Sequence, residues 1–146
     1  YAAKGATMAA INTGVIVGYG AVVQGSQGFA NLVAAMTSTS ISPTWSFAGS
    51  ITVLSAVAGS GTGGLVISLE ALAQKFVELG VSPEVLHRIG AMASVGFDSL
   101  PHCGAVVTML TITGGTYKDT YKPIFINDVL TVVMTVVAVI LSGIMY

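Results

Sequence analysis

The chain has 146 residues, a formal net charge of −1 and 8% charged residues, whereas a typical soluble protein has about 25%. Hydrophobic residues make up 53% of the chain and its mean hydropathy is +0.86, which excludes an ordinary soluble globule and predicts an integral membrane protein. The charge balance provides no basic surface for nucleic acid, and the single cysteine, Cys103, excludes an intrachain disulfide.

The first half of the chain predicts membrane-spanning helices. No charged residue occurs between Lys4 and Glu70, and this stretch has room for two or three passages of about 20 residues each. Small residues recur in it, and they let helices approach closely in lipid. We predict two spans and one helical hairpin here, near 7–23, 29–42 and 46–70.

The second half alternates apolar segments with short charged ones. We predict one broken helix near 89–116, because its length suffices for one crossing with slack but not for two. Residues 117–123 read as an interfacial loop that ends at a proline. Asp128 is then expected to cap a last span near 129–145.

The small-residue run at 59–64, the predicted tip of the hairpin, has three possible explanations. Gly59, Gly61 and Gly64 match the dinucleotide fingerprint G-x-G-x-x-G after a potential strand at 51–58, but a Rossmann fold needs further strands that the chain does not supply. Close packing between helices is the second explanation. We favour the third, a re-entrant tip that exposes N–H groups to a polar cavity, because six small residues in a row exceed what packing requires.

A second interruption occurs at 98–104, within an otherwise uncharged apolar segment. Ionisable residues such as Asp98 and His102 are expensive to place there and are usually functional. Pro101 breaks the helix and leaves N–H groups without partners where the helix resumes, near Gly104. Two broken elements of this kind are typical of substrate sites in secondary transporters.

These two interruptions supply the candidate site. A substrate carboxylate would bind to backbone N–H groups and polar side chains from both, namely Ser60, Gly61, Thr62, Gly63, Ser99, His102 and Gly104. Asp98 or His102 would carry a coupling proton. The structural alternatives are that Asp98 only caps the resumed helix and that His102 only donates to a loop carbonyl. We predict no metal site, no cofactor other than the transported proton, and no enzymatic activity.

Three motifs resemble the C-terminal region of the gluconate:proton symporter family. They are Ser-Pro-Glu-Val-Leu-His-Arg at 82–88, Asp-Ser-Leu-Pro-His at 98–102 and Gly-Ala-Val-Val-Thr at 104–108. The resemblance implies a multi-pass transporter of the bacterial inner membrane that imports sugar acids or related hydroxy-carboxylates with protons. Cys103 stands where gluconate-type members are expected to have Asn, so the resemblance implies a gluconate-like or related hydroxy acid and not gluconate itself.

The sequence thus predicts an all-α, multi-pass membrane protein fragment with a re-entrant hairpin and a discontinuous transmembrane helix. Residues 1–146 would form the C-terminal part of a permease. Its partners would be a small carboxylate, the lipid bilayer, the N-terminal part of the permease and, in a homo-oligomer, further copies of the chain. The alternative is a membrane scaffold or assembly subunit that transports nothing, in which polar substitutions at the two breaks would be silent.

Overall fold

The computed structural model describes residues 2–38 and 41–145, which form helices and no strand. The helices, in chain order, are α1 (Ala2–Gln24), α2 (Gln27–Thr37), α3 (Pro43–Ala58), α4 (Gly61–Glu78), α5 (Pro83–Ser94), α6 (Gly104–Thr113) and α7 (Tyr117–Met145). The predicted all-α fold is confirmed. The dinucleotide-binding alternative is wrong, because the strand that it needs at 51–58 lies within α3.

The core lies between α3, α4 and α5. Phe47 of α3 meets Phe76 of α4 edge to face, with ring centroids 5.2 Å apart, and both side chains are fully buried. Leu72 of α4 and Ile89 of α5 fill the same cluster. Ser82 starts α5 by accepting a hydrogen bond from the Val85 N–H, so the helix begins at the proline that follows it.

α3 and α4 form the hairpin and touch backbone to backbone. A Cβ built on Gly64 would lie 2.3 Å from the Cα of Ser55, a distance that no side chain tolerates. Ser68, one turn further along α4, donates to the Gly64 carbonyl at 2.6 Å, so its buried hydroxyl is satisfied within its own helix. Close packing, the second explanation considered for the small-residue run, therefore accounts for Gly64.

α7 begins earlier than the sequence suggested. The predicted loop at 117–123 is the first part of this 29-residue helix, which continues through Pro123. The proline removes one backbone donor, and Asp119, whose carbonyl would have accepted from it, is an exposed residue near the start of the helix. Asp128 is consequently not an N-cap. It lies inside the helix and is fully buried.

The first two predicted spans differ in their outcome. The one near 7–23 lies within α1, a helix of 23 residues. The second predicted span, near 29–42, includes residues 39 and 40, which lie outside the described residues. The helix in its described part is α2, which has 11 residues. A full crossing of the bilayer needs about 20.

In the part of the chain that the structure describes, α7 is the helix long and apolar enough to cross a membrane. Its outward face carries large apolar side chains, with Leu130 58% exposed and Ile144 77% exposed. Exposed apolar side chains continue on α1, where Val15 and Val22 point outward. A soluble monomer rarely exposes apolar surface on this scale, whereas lipid covers it at no cost.

Candidate functional site

The turn between α3 and α4 is shorter than the sequence predicted. Gly59 ends α3 with a φ of +60°, in the left-handed region that favours glycine. Ser60 is extended and caps α4 by accepting a hydrogen bond from the Gly63 N–H at 3.1 Å. Helix α4 begins at Gly61. Open backbone is thus confined to two residues of the run 59–64, and the other four form the first turn of a helix.

The break between α5 and α6 is present where the sequence placed it. α5 ends at Ser94 and α6 begins at Gly104, with non-helical backbone in between. Cys103 occupies the N-cap position of α6, and its side chain makes no capping hydrogen bond. The alternative role of Asp98 as this N-cap is therefore wrong. Tyr117, the first residue of α7, secures the break by donating from its hydroxyl to the Pro101 carbonyl at 2.7 Å.

The structure brings the two breaks into direct contact. A Cβ on Gly61 would lie 2.7 Å from Oδ2 of Asp98, and one on Gly59 would lie 2.7 Å from Cδ2 of His102. Glycine at both positions lets the turn approach these side chains. His102 Nε2 lies 2.8 Å from the Ala56 carbonyl oxygen, and it is the donor, because a carbonyl can only accept. His102 thus ties the break to the last turn of α3, whereas the structural alternative expected a loop carbonyl as its partner.

Both breaks line one cavity of about 650 Å³. Five of the predicted site residues lie on its wall: Ser60, Gly61, Thr62, Asp98 and Gly104. Three do not. The Gly63 N–H is used by the Ser60 cap, Ser99 lies behind Asp98 and donates to its Oδ1 at 3.0 Å, and His102 lies on a neighbouring cavity.

The neighbouring cavity has a different character. Its volume is about 1010 Å³, and it is bounded mainly by apolar side chains of α1, α3 and α7, including Val53, Val132 and Val136. Phe97, Leu100 and His102 form the part of its wall that belongs to the break. An apolar space of this kind suits hydrocarbon or other apolar side chains, not an anion.

Two helix N-termini face the smaller cavity. At the start of α4, the N–H groups of Gly61 and Thr62 have no hydrogen-bond acceptor among the described residues, and at the start of α6 the same holds for Gly104 and Ala105. The first N–H groups of a helix carry partial positive charge and attract anions. Asp98, half-buried beside Gly61, is the one acidic side chain on this wall.

A second carboxylate, predicted from the sequence as a helix cap, is buried within α7. Asp128 of α7 is 0% exposed, and neither of its oxygens has a hydrogen-bond partner among the described residues. Tyr121 is half-buried, and its shielded hydroxyl also has no hydrogen-bond partner among the described residues; it lies on the same face of α7 two turns earlier. Tyr121, Asp128 and Thr135 are spaced seven residues apart, and this helical spacing was the signal in the sequence that could have placed Asp128 inside a helix.

Comparison with known proteins points to transport. No protein-family model and no solved structure matches the chain. Over 125 residues, 83% of its length, the chain is 38% identical to a Bacillus subtilis (strain 168) protein named "Uncharacterized transporter YxjC". The chain spans 26% of the length of that protein. It is therefore similar to about a quarter of a named transporter, and this similarity together with the apolar helix α7 supports a transport role in a membrane.

Proposed function

We propose that the chain is part of a secondary active transporter of the bacterial inner membrane, which carries a small hydroxy-carboxylate such as a sugar acid together with a proton. The observation that carries this proposal is the position of Asp98 on one cavity with the N-termini of α4 and α6. The resemblance to gluconate:proton symporters suggests the substrate class. Further transporter segments are expected to complete the site.

The cavity suits a carboxylate substrate. The N–H groups at the start of α6 would hold its carboxylate, because Cys103 does not cap them. The Thr62 side chain on the same wall would bind a substrate hydroxyl. A volume of about 650 Å³ leaves room for a sugar acid and some water.

Asp98 would couple the proton to the substrate. An ionised Asp98 lies on the same cavity as the start of α6 and repels an anion that binds there. A protonated Asp98 is neutral and does not act on the anion in this way. The proton and the substrate therefore each bind better when the other is bound. Asp98 suits the coupling role better than His102, because His102 faces the apolar cavity and its Nε2 is already bonded to Ala56.

Uptake of labelled gluconate and other hydroxy acids by cells expressing the full-length protein tests this proposal. In wild type, we expect apparent affinity to rise as the external pH falls. In Asp98→Asn, whose side chain is always neutral, we expect uptake to lose this pH dependence while exchange of internal for external substrate continues. The matched control is Asp119→Asn, an exposed acidic residue at the start of α7, which should behave as wild type.

Two results would contradict the proposal. Unchanged pH dependence in Asp98→Asn would remove Asp98 from the coupling step. The scaffold alternative would be favoured if the wild type took up none of the acids and if Asp98→Asn grew and expressed as the wild type does.

A further inference from the structure

The cavity of about 650 Å³ that the two breaks share has a wall with two different parts. At the breaks, the wall is formed by the starts of α4 and α6 and by the polar side chains of Thr62 and Asp98. Away from the breaks the wall is apolar. Leu65 lies about one turn into α4, and Met109 and Ile112 lie about one and two turns into α6. The site thus offers polar groups to one end of a ligand and apolar surface to the rest of it.

The apolar part of the wall follows one face of α6. Ala105, Met109 and Ile112 recur at helical spacing, and all three line the cavity. With a rise of about 1.5 Å per residue, Ile112 lies about 12 Å from Gly104 along the helix axis. A ligand whose carboxylate binds the first N–H groups of α6 would therefore have this face beside its carbon chain. The face is long enough for a chain of six carbons.

Few hydroxyl groups of a ligand would find partners on this wall. The Ser60 hydroxyl caps α4, and the Ser94 hydroxyl donates to a carbonyl of its own helix at 3.0 Å. Thr108 also has a partner within the protein, and Thr62 carries the remaining hydroxyl of the wall. A hydroxyl placed against apolar side chains loses its hydrogen bonds with water and gains none. The wall therefore suits a ligand with one hydroxyl better than gluconate, which has five.

We propose that this cavity selects short hydroxy acids with one hydroxyl and an alkyl chain over polyhydroxylated sugar acids. The substrate carboxylate would bind at the start of α6, its hydroxyl at Thr62, and its alkyl chain against Leu65, Met109 and Ile112. This inference rests on the proposed function and narrows its substrate class. The apolar wall favours each methylene of the chain that it covers, and it disfavours each hydroxyl that it cannot pair.

Equilibrium binding to the purified full-length protein tests the selection with two acids of equal chain length. 2-Hydroxyhexanoate and gluconate both have six carbons, and they differ in having one hydroxyl and five. We expect 2-hydroxyhexanoate to bind at least about tenfold more tightly. From lactate through 2-hydroxybutyrate to 2-hydroxyhexanoate, affinity should rise about fourfold for each added methylene. Tighter binding of gluconate, or an affinity that does not depend on chain length, would overturn the proposal.

A substitution on the apolar part of the wall tests where the alkyl chain lies. Met109→Gln places an amide there with little change in side-chain length, and we expect the affinity for 2-hydroxyhexanoate to fall about tenfold. The affinity for lactate, whose single methyl group stays near the start of α6, should change little. This second measurement also shows that the variant is folded.

Val107→Gln is the matched control. Val107 lies on the same helix and is 42% exposed, against 43% for Met109, but it does not line the cavity. Its variant should bind both acids as the wild type does. Equal affinities of the two variants for 2-hydroxyhexanoate would show that the chain does not lie on this face. The comparison of acids in the wild type needs no variant, so it decides the proposal even where a substitution impairs folding.

Uptake by cells separates this inference from the proposed function. If the wild type accumulates gluconate with protons and binds 2-hydroxyhexanoate less tightly, the inference fails and the proposed function is supported. If the purified protein binds the alkyl acids with the expected dependence on chain length but cells accumulate no hydroxy acid, transport fails and the ligand class of the cavity is supported. If neither kind of acid binds, both proposals fail.

Discussion

Cys103 shows how one residue type decides whether a helix start is available to a ligand. It has the extended backbone of an N-cap, with φ −60° and ψ 128°, and it is 4% exposed. The residues usually found at an N-cap provide a side-chain oxygen that accepts from the first turn. A thiol is a poor acceptor, so the first N–H groups of α6 remain directed at the cavity.

We therefore predict opposite effects of Cys103→Ser on stability and on substrate binding. The serine hydroxyl would accept from an N–H in the first turn of α6 and stabilise the fold by about 1 kcal/mol. The same bond would remove a donor from the substrate and weaken its binding. Thermal unfolding in detergent and substrate affinity measure the two effects.

Cys103→Ala is the control for this prediction, because alanine is of similar size and cannot cap. It should leave substrate affinity close to that of wild type. A serine variant that binds substrate as well as the alanine variant would show that the α6 N-terminus takes no part in binding.

At the scale of elements, the breaks could be predicted from sequence better than their extents. Pro101 identified the α5–α6 break, because a proline in a helix interior removes a hydrogen bond and its ring collides with the preceding turn. Glycine has a low helix propensity, yet the Ser60 cap and the contact with Ser55 place four small residues of the run inside α4. These tertiary contacts are not visible in a local pattern.

The position of Asp128 differs from the prediction for a related reason. The sequence predicts a loop that ends at Pro123, and this loop would place Asp128 at the start of the next helix. In the structure the helix tolerates Pro123 near its exposed beginning, so Asp128 falls in its interior. The burial of a single polar side chain depends on which helices pack around it, and spacing alone does not give that.

The contact between α3 and α4 gives a prediction at this scale. In Gly64→Ala the new methyl would collide with the Ser55 backbone, and we expect a loss of about 1–3 kcal/mol in stability, as for other overpacked cores. Gly49→Ala is the matched control, because a Cβ there meets nothing within 4 Å. It should stabilise α3 by about 0.5–1 kcal/mol.

Thermal unfolding of both variants in detergent tests the prediction. Equal melting temperatures for the two would contradict the backbone contact. A second variant, Ser55→Gly combined with Gly64→Ala, should recover part of the loss, because it removes the serine side chain that the new methyl also meets.

For the whole molecule, the distribution of apolar surface is decisive. The buried core lies between α3, α4 and α5, while α1 and α7 expose many large apolar side chains. We predict that the protein sediments with membranes and is released by detergent but not by high salt or alkaline carbonate, because its attachment is hydrophobic and not electrostatic.

Fractionation of cells and immunoblotting measure this behaviour. Recovery of the chain in the soluble fraction without detergent would refute the membrane assignment. A substitution on the outward face of α7, Leu130→Lys, should lower the amount inserted, since a lysine facing lipid near the middle of a span is costly. The control Asn127→Lys, nearer the start of the same helix, should lower it less.

The hydrogen bond from His102 to Ala56 has a mechanical consequence. It joins the end of α3 to the segment before α6, and Gly61 packs against Asp98 on the other side of the same turn. The hairpin and the discontinuous helix are therefore joined at the point where the substrate would bind. We expect them to move as one rigid body together with the bound substrate. The gates that open alternately to the two sides of the membrane would then be formed by other surfaces of the protein.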